Sequence, residues 1–371
     1  MIPPIRILSI IGTRPEAVKM APVVQQLAQT PGVESLVCVT AQHREMLDQV
    51  LGLFDITPNI DLDLMQPDQS LAQITAAIFT HLDPVLRDLQ PDWVLAQGDT
   101  TTVMAAALLA YYHRIKFGHV EAGLRTGDKY QPFPEEINRR VAGVAADLHF
   151  APTETSKQNL LKENIPAWQI VVTGNPVIDA LKQVAEKAPP QEVKQLLDKL
   201  GNGRLILVTA HRRENFGQPL KNICLALKML AEAYDDLQII YPVHLNPNVQ
   251  NTVYPLLEPV SNITLLPPLD YLPMVHLMKR ATLVLTDSGG LQEEAPGLGV
   301  PVLVMREVTE RPEGLAAGTV RLVGVNTAKI VAETKRLLDN PSEHAKMAQA
   351  VNPYGDGHAA ERIVQAILSR K

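Results

Sequence analysis

The sequence predicts an α/β fold made of two Rossmann-like, doubly wound domains with a cleft between them. Short apolar runs rich in β-branched residues alternate with longer helical patterns, and this alternation specifies parallel βαβ units. At 371 residues, of which 46% are hydrophobic and 20% charged, the chain is long enough to bury two separate cores. Ligands of such sheets bind beyond the carboxyl ends of the strands, so functional residues are expected there.

Six strands are predicted in the first half of the chain, and helical patterns follow them. The strands are at residues 5–11, 35–40, 93–96, 117–120, 148–151 and 170–173. Helices are predicted from about Pro15, over 101–113 and from about Pro134. We expect this half to form an N-terminal domain over residues 1–180.

The second half restarts the same alternation after residues 181–203, a stretch rich in charged residues that is expected to connect the domains. Its strands are predicted at residues 205–209, 237–243, 263–266, 283–286 and 302–305. They predict a C-terminal domain over 204–355. The final segment, 356–371, contains an amphipathic helix whose apolar face would suit packing back on the N-terminal domain, although the sequence alone does not establish this.

Charge and cysteine content exclude several classes of protein. A net charge of −6 and a pI near 5.9 disfavour nucleic acid or an anionic membrane as partner, since both need clustered Lys and Arg. Cys38 and Cys224 lie far apart, so neither a disulfide framework nor a metal site is expected. No apolar run approaches the roughly 18 residues of a membrane span, and no secretory leader is recognisable. We therefore expect a cytoplasmic protein.

The first candidate motif directly follows the first strand. Residues 12–19, GTRPEAVK, combine a glycine that permits a tight turn with a proline suited to the start of a helix. Arg14 and Lys19 would then face the cleft. Taken alone, the motif fits equally well a capped helix with surface cations.

A second motif, TDSGGLQEE at residues 286–294, joins a strand to the start of a helix. Its bare amides and helix dipole would suit a phosphate, and Glu294 could accept hydrogen bonds from ribose hydroxyls. The simpler interpretation is an Asp-Ser N-cap with glycines for packing. Arg311, after the next strand, is a candidate diphosphate or ribose contact, with a surface ion pair as the alternative.

Three carboxylates of the first half lie at predicted strand ends: Asp99, Glu121 and Glu135. Taken singly, Asp99 fits a helix N-cap, and Glu135 fits a first-turn residue matched to the helix dipole. Glu121 similarly fits an ion-pair partner of Arg125. Acids gathered at one cleft opposite a phosphate cradle instead favour proton transfer.

Two histidines are candidates in the second half. His211 follows the first strand of that half, where an imidazole could neutralise a leaving phosphate or move a proton. His244, after the next strand, is a weaker candidate of the same kind. Core or capping histidines are common, so either residue also fits a structural role.

These motifs occur in one order over nearly the whole chain: GTRPE at 12–16, QHREML at 42–47, GDTT at 98–101, HVEAGLRT at 119–126, PEE at 134–136, HRREN at 211–215 and DSGGLQEE at 287–294. Together they resemble the bacterial non-hydrolysing UDP-N-acetylglucosamine 2-epimerases. The resemblance implies the glycosyltransferase-B architecture, no metal or redox cofactor, and usually a homodimer. It also implies a product that supplies surface polysaccharides.

The resemblance assigns site residues by position. Contacts with UDP-N-acetylglucosamine or UDP would fall on Arg14, Lys19, Asp99, Glu121, His211, Leu269, Met274, Ser288, Gly289, Gly290, Glu294 and Arg311. Asp99, Glu121 and Glu135 match the acid–base residues. A regulatory substrate site would involve Gln42, His43, Arg44, His211, Arg212 and His244. The basic residue that some members carry before the helix at Leu71 is missing from residues 65–69.

The reaction that the resemblance implies explains these residue types. The proton on carbon 2 of N-acetylglucosamine is not next to a carbonyl, and expelling UDP makes it acidic. Elimination gives 2-acetamidoglucal, and UDP then returns with a proton delivered to the other face. Cations and helix amides would stabilise the diphosphate, while two carboxylates would serve the two faces. A hydrolysing epimerase, a glycosyltransferase of the same fold and a UDP-sugar sensor are the alternatives.

Overall fold

The computed structural model describes residues 3–40, 44–64, 66, 68–201 and 203–370, with the backbone alone for residues 44–46. The chain divides into two compact units, here called unit 1 (Met1–Ala180 with Tyr354–Lys371) and unit 2 (Leu181–Pro353). Each unit contains a parallel sheet flanked by helices, so the predicted α/β class with two Rossmann-like sheets is confirmed. Among the described helices, none has both the length and the apolarity needed to cross a membrane.

The sheet of unit 1 has, within the described residues, seven parallel strands in the order β3-β2-β1-β4-β5-β6-β7. The elements of this unit, in chain order and ending with a helix that crosses the unit boundary, are β1 (Ile5–Ile11), α1 (Arg14–Ala28), β2 (Val33–Val39), α2 (Arg44–Leu53), β3 (Ile60–Asp61), α3 (Leu71–Leu89), β4 (Trp93–Gln97), α4 (Thr101–Tyr112), β5 (Lys116–Val120), α5 (Glu135–Ala145), β6 (Leu148–Ala151), α6 (Glu154–Lys162), β7 (Ile170–Val172) and α7 (Pro176–Glu186).

The sheet of unit 2 has six parallel strands in its described part, ordered β10-β9-β8-β11-β12-β13, which is the strand order of a dinucleotide-binding domain. Its elements are α8 (Gln191–Leu200), β8 (Arg204–Thr209), α9 (Gln218–Ala233), β9 (Leu237–Pro242), α10 (Pro247–Leu257), β10 (Ile263–Leu266), α11 (Tyr271–Arg280), β11 (Leu283–Thr286), α12 (Gly289–Gly297), β12 (Val302–Val304), α13 (Pro312–Ala317), β13 (Val320–Leu322), α14 (Thr327–Asp339) and α15 (Pro341–Ala348).

The stretch expected to connect the domains, residues 181–203, is mostly helical. It contains the end of α7 and all of α8, and it lies in unit 2. The charged and Gln-rich residues of α8 are good helix formers, and the helix buries Val193 while it packs against α11. The composition that suggested a linker therefore belongs to a surface helix.

The chain returns to unit 1 at its end. Helix α16 (Ala359–Leu368) packs against α1 within this unit. The buried Asp179 carboxylate accepts the backbone N–H groups of Ala359 and Ala360 at 3.2 and 2.9 Å, which satisfies two amides that a helix start leaves unpaired. Asp179 thus fixes the start of the last helix to α7.

In each sheet the order in which successive strands are added changes direction at one point, the topological switch point. This point lies between β1 and β4 in unit 1 and between β8 and β11 in unit 2. Loops that leave such a pair of strands diverge, and the crevice between them is where open α/β sheets bind ligands. Asp99 follows β4, His211 follows β8 and Ser288 follows β11. The candidate residues therefore lie at the crevice of the sheet to which each belongs.

Candidate functional site

The turn after β1 is held by a buried carboxylate that the sequence analysis did not single out. Glu16, 2% exposed, accepts the N–H groups of Gly12 at 2.5 Å and Thr13 at 3.2 Å. Burial raises its pKa to about 7, although hydrogen bonds from the Thr100 hydroxyl and these amides oppose the rise. Arg14, the first residue of α1, is half-buried beside this turn.

Glu121 follows β5, and its side chain is 3% exposed. Its backbone is in the left-handed region, with φ of 61°, which is uncommon for a residue with a side chain. Oε2 of Glu121 accepts Lys19 Nζ at 2.5 Å and also the Gln97 side-chain amide. The alternative pairing with Arg125 is wrong, because Arg125 instead makes two 2.8 Å hydrogen bonds to Glu163.

Asp99 is held by a cation from a different element. The Nε–H of Arg139, on α5, donates a 2.9 Å hydrogen bond to Asp99 Oδ2, and Nη2 forms an ion pair with the same oxygen at 2.8 Å. Asn138 donates its side-chain amide to the Asp99 carbonyl at 2.9 Å. The residue that caps α4 is Thr100, so the N-cap interpretation of Asp99 is wrong. The Asp99 side chain stays 27% exposed, which leaves the carboxylate accessible to a ligand.

Glu135 is the first residue of α5, in the first turn as predicted. Its Oε2 is buried without a hydrogen-bond partner, and the residue lines a cavity of about 460 Å³ together with Thr13, Thr100 and Asn138. The next residue, Glu136, is fully buried and accepts two backbone N–H groups of the preceding loop. Those bonds lower the pKa of Glu136 although burial opposes them. Glu135 therefore lines the cavity, while its neighbour Glu136 supports the backbone of the preceding loop.

Two buried histidines lie side by side on β5 and β6 behind these acids. Burial lowers the pKa of His119 to about 4 and that of His149 to about 3, so both are neutral at pH 7. His119 Nε2 is 2.7 Å from the Gly98 carbonyl and must carry the proton, which fixes the backbone just before Asp99.

In the part of the chain that the structure describes, no group of three or more His, Cys, Asp or Glu side chains could hold a metal ion.

In unit 2, one carboxylate ties together the turns after β8 and β11. Asp287 is fully buried, and its Oδ2 accepts the backbone N–H groups of His211 and Arg212 at 2.8 Å and the Asn215 amide at 2.9 Å. The His211 ring stacks on His244 with centroids 5.3 Å apart and planes 9° from parallel. Burial lowers the pKa of His211, with Asp287 opposing and His244 reinforcing that change.

The glycine turn after Asp287 begins α12, with Ser288 at the N-cap position. A Cβ atom on Gly289 would lie 3.6 Å from the Arg212 guanidinium, and one on Gly290 would lie 3.3 Å from Glu294 Oε1. The Arg212 guanidinium and the Glu294 carboxylate therefore both lie close to the start of α12. Backbone amides, the helix dipole and a nearby guanidinium together suit an anion.

Glu294 lies one turn into α12 and is 8% exposed. Its Oε2 accepts the Tyr271 hydroxyl at 2.9 Å, which fixes one carboxylate oxygen. Leu269 precedes α11 and Met274 lies within it, and both side chains are half-buried. The loop before α11 and the start of α12 are thereby joined through Tyr271.

Arg311 is the N-cap residue of α13, and its backbone N–H is 3.1 Å from the Thr309 hydroxyl oxygen. Its guanidinium forms an ion pair with Glu293. The two side chains are 14% and 3% exposed, so the pair is buried and is not the surface ion pair considered as the alternative. Such a partner holds the guanidinium in one orientation.

Part of the predicted regulatory site lies outside the described residues. This applies to Gln42 and His43 and to the side chain of Arg44. Arg212 and His244 are described, and both lie beside His211 in unit 2: Arg212 is the next residue in the chain, and the His244 ring stacks on that of His211. The regulatory site stays a prediction.

Comparison with known proteins identifies the family. The family model for UDP-N-acetylglucosamine 2-epimerase matches residues 25–368. UDP-N-acetylglucosamine 2-epimerase of Salmonella typhimurium is 56% identical over 98% of both chains, and that of Escherichia coli is 54% identical over 99% of both. A crystal structure of UDP-GlcNAc 2-epimerase from Neisseria meningitidis bound to UDP-GlcNAc is 50% identical, covers 98% of this chain and all of that one, and has a TM-score of 0.89. The chain therefore belongs to the UDP-N-acetylglucosamine 2-epimerase family and is an isomerase.

Proposed function

We propose that this protein interconverts UDP-N-acetylglucosamine and UDP-N-acetylmannosamine without hydrolysis, by eliminating UDP to 2-acetamidoglucal and adding it back. Family membership supports the substrate, as does the UDP-GlcNAc bound to the Neisseria meningitidis relative. The observation that carries the mechanism is the set of acids in unit 1. Asp99 and Glu121 are each held by their own cation, and Glu135 lines a cavity and has a buried carboxylate oxygen without a hydrogen-bond partner.

In this proposal unit 2 binds UDP. The diphosphate lies at the N-terminus of α12, beside the backbone amides of Gly289 and Gly290 and the Arg212 guanidinium. The Glu294 carboxylate, oriented by Tyr271, accepts ribose hydroxyls. Arg311 contributes positive charge from α13. Charge that develops on the leaving diphosphate is then stabilised by groups already in place.

Unit 1 carries the protons. Inversion at carbon 2 removes a proton from one face and adds a proton to the other, so a single carboxylate is not enough. Asp99 and Glu121 follow neighbouring strands, and Glu135 begins the helix that also supplies Arg139. A glycosyltransferase needs room for an acceptor in place of these acids. A UDP-sugar sensor would bind its ligand without transferring a proton, so these acids would have no role in it.

Proton NMR of the enzyme with UDP-N-acetylglucosamine in heavy water tests the proposal. We expect UDP-N-acetylmannosamine to appear with deuterium at carbon 2, without added metal or nicotinamide. Free N-acetylmannosamine and UDP would instead select the hydrolysing reaction. Retention of the carbon 2 proton would return the choice to a transferase or a sensor.

The Asp99→Asn variant tests the acid–base role. It should bind UDP normally but lose at least ~10²-fold in turnover, the lower end for a general acid–base residue. Asp88→Asn, at an exposed position near the end of α3, is the matched control and should keep full turnover. An active Asp99→Asn enzyme would remove Asp99 from the mechanism. The homodimer and the cytoplasmic location stay predictions.

A further inference from the structure

Asp287 makes more interactions than a helix cap requires. The N-cap position of α12 belongs to Ser288, so Asp287 is not needed there. Its Oδ2 instead accepts three N–H groups, all from the loop after β8. Its Oδ1 is buried without a hydrogen-bond partner and lies 3.6 Å from His211 Nδ1. Both oxygens thus face the segment that carries His211.

We propose that Asp287 is the positioning residue of His211, orienting the imidazole with Nδ1–H toward Oδ1 so that Nε2 faces the diphosphate of the UDP-sugar. This inference rests on the proposed function for the identity of the ligand. A separation of 3.6 Å is longer than a hydrogen bond, and contacts of this kind commonly shorten when the ligand binds. The three hydrogen bonds to Oδ2 hold the loop after β8 so that His211 Nδ1 stays beside Oδ1.

The charges around His211 agree with this role. Burial and the neighbouring His244 and Arg212 favour the neutral ring, and Asp287 favours the protonated one. Asp287 comes from the turn after β11 and His244 from the segment after β9, while Arg212 is on the same loop as His211. An imidazole supported by a carboxylate is well suited to take a proton as a diphosphate accumulates charge beside it.

Nitrogen NMR of the full-length protein labelled at histidine tests the orientation directly in the unmodified enzyme. The His211 signals are assigned by their loss in His211→Gln. We expect the neutral ring to carry its proton on Nδ1, with Nε2 unprotonated and perturbed when UDP is added. A ring that carries its proton on Nε2 would overturn the proposal, and this measurement does not depend on any Asp287 variant folding.

The Asp287→Asn variant supplies the second test. The pKa of His211 should fall, because Asp287, which favours the charged form of the ring, has been neutralised. The value of kcat should fall at least ~10-fold, within the ~10⁴-fold cost of the equivalent change in serine proteases. Asp236→Asn, at the exposed Arg204 ion pair, should change neither. An unchanged His211 titration in folded Asp287→Asn refutes the role. If the unmodified enzyme shows no carbon 2 exchange, the proposed function fails. The protonated nitrogen of the His211 ring and the His211 titration in Asp287→Asn still show by NMR whether Asp287 orients His211.

Discussion

Replacing Glu16 by Gln should make unit 1 more stable at pH 8 relative to the unmodified protein, and the gain should disappear at low pH. The pKa of Glu16 rises from its ordinary 4.5 to about 7 in the folded protein, chiefly through burial. The unfolded chain therefore ionises this group before the folded one does. The folded state is disfavoured progressively as pH rises from about 4.5 to 7, by about 3 kcal/mol once both states are ionised.

The two tryptophans make this measurement specific to unit 1. Trp93 is 3% exposed in β4, Trp168 is on the surface, and both belong to unit 1. Urea unfolding followed by tryptophan fluorescence thus reports on this unit at each pH. Glu16→Gln keeps an acceptor for the Gly12 and Thr13 amides. Any packing penalty of the substitution that does not depend on pH shifts the plot of unfolding free energy against pH without changing its slope.

The quantity to follow is the difference in unfolding free energy between the unmodified protein and Glu16→Gln. It should fall as pH rises from 4.5 to 7 and then level off. Glu154→Gln, at the exposed first turn of α6, is the control, because hydrogen bonds from Gln158 and Lys157 lower the pKa of Glu154 and give no such fall. A difference for Glu16→Gln that stays constant, or rises, between pH 5 and 8 would show that the buried carboxylate is already ionised in the folded protein.

Three further outcomes follow from single contacts. Gln97→Leu should lower kcat roughly 10-fold or more in the carbon 2 exchange assay, since it removes a hydrogen bond to the charged Glu121, and unchanged kcat would contradict a positioning role. Gly123→Ala should lower the unfolding free energy of unit 1, followed by tryptophan fluorescence, by about 2 kcal/mol or more, because the φ of Gly123 is 92° and an added Cβ would collide with a backbone carbonyl of α6. Gly127→Ala is the control: the φ of Gly127 is 83°, but the space around an added Cβ is open, so the loss of unfolding free energy should be clearly smaller. Tyr271→Phe should weaken UDP binding roughly 3-fold or more by calorimetry and weaken 2′-deoxy-UDP less, because Glu294, the partner of Tyr271, then has one ribose hydroxyl fewer to lose. Equal losses for both ligands would exclude a contact between Glu294 and the 2′-hydroxyl.

The longer strands were predictable because parallel strands buried on both faces appear as uninterrupted apolar runs. Residues 205–209 of β8 and 283–286 of β11 are such runs, and all nine are buried. The edge strands β3 and β13 were missed, since they have two and three residues and show no period of their own. Short edge strands are defined by pairing with a neighbour, which local sequence does not encode.

The acids at the strand ends were predictable for a topological reason. Every parallel strand ends at the same edge of its sheet, so Asp99 after β4 and Glu121 after β5 must be neighbours. Their partners were not predictable in this way. Arg139 is 40 residues from Asp99, and Lys19 is 102 residues from Glu121, and each contact depends on the rotation of a helix over the sheet. Charge alone favoured Arg125, which is four residues from Glu121 but bonds elsewhere.

The two units hold their functional turns by different chemistry, and this difference explains where the sequence was informative. In unit 1, pairs of charged side chains hold Asp99 and Glu121, and removing one member of a buried pair such as Lys19–Glu121 typically costs about 3–5 kcal/mol. In unit 2, Asp287 instead binds backbone amides, which every residue except proline provides. A sequence motif identifies the carboxylate but not the backbone amides that will donate hydrogen bonds to it. The contribution of Asp287 therefore became visible only with the fold, although the residue stands within one of the most recognisable motifs of the chain.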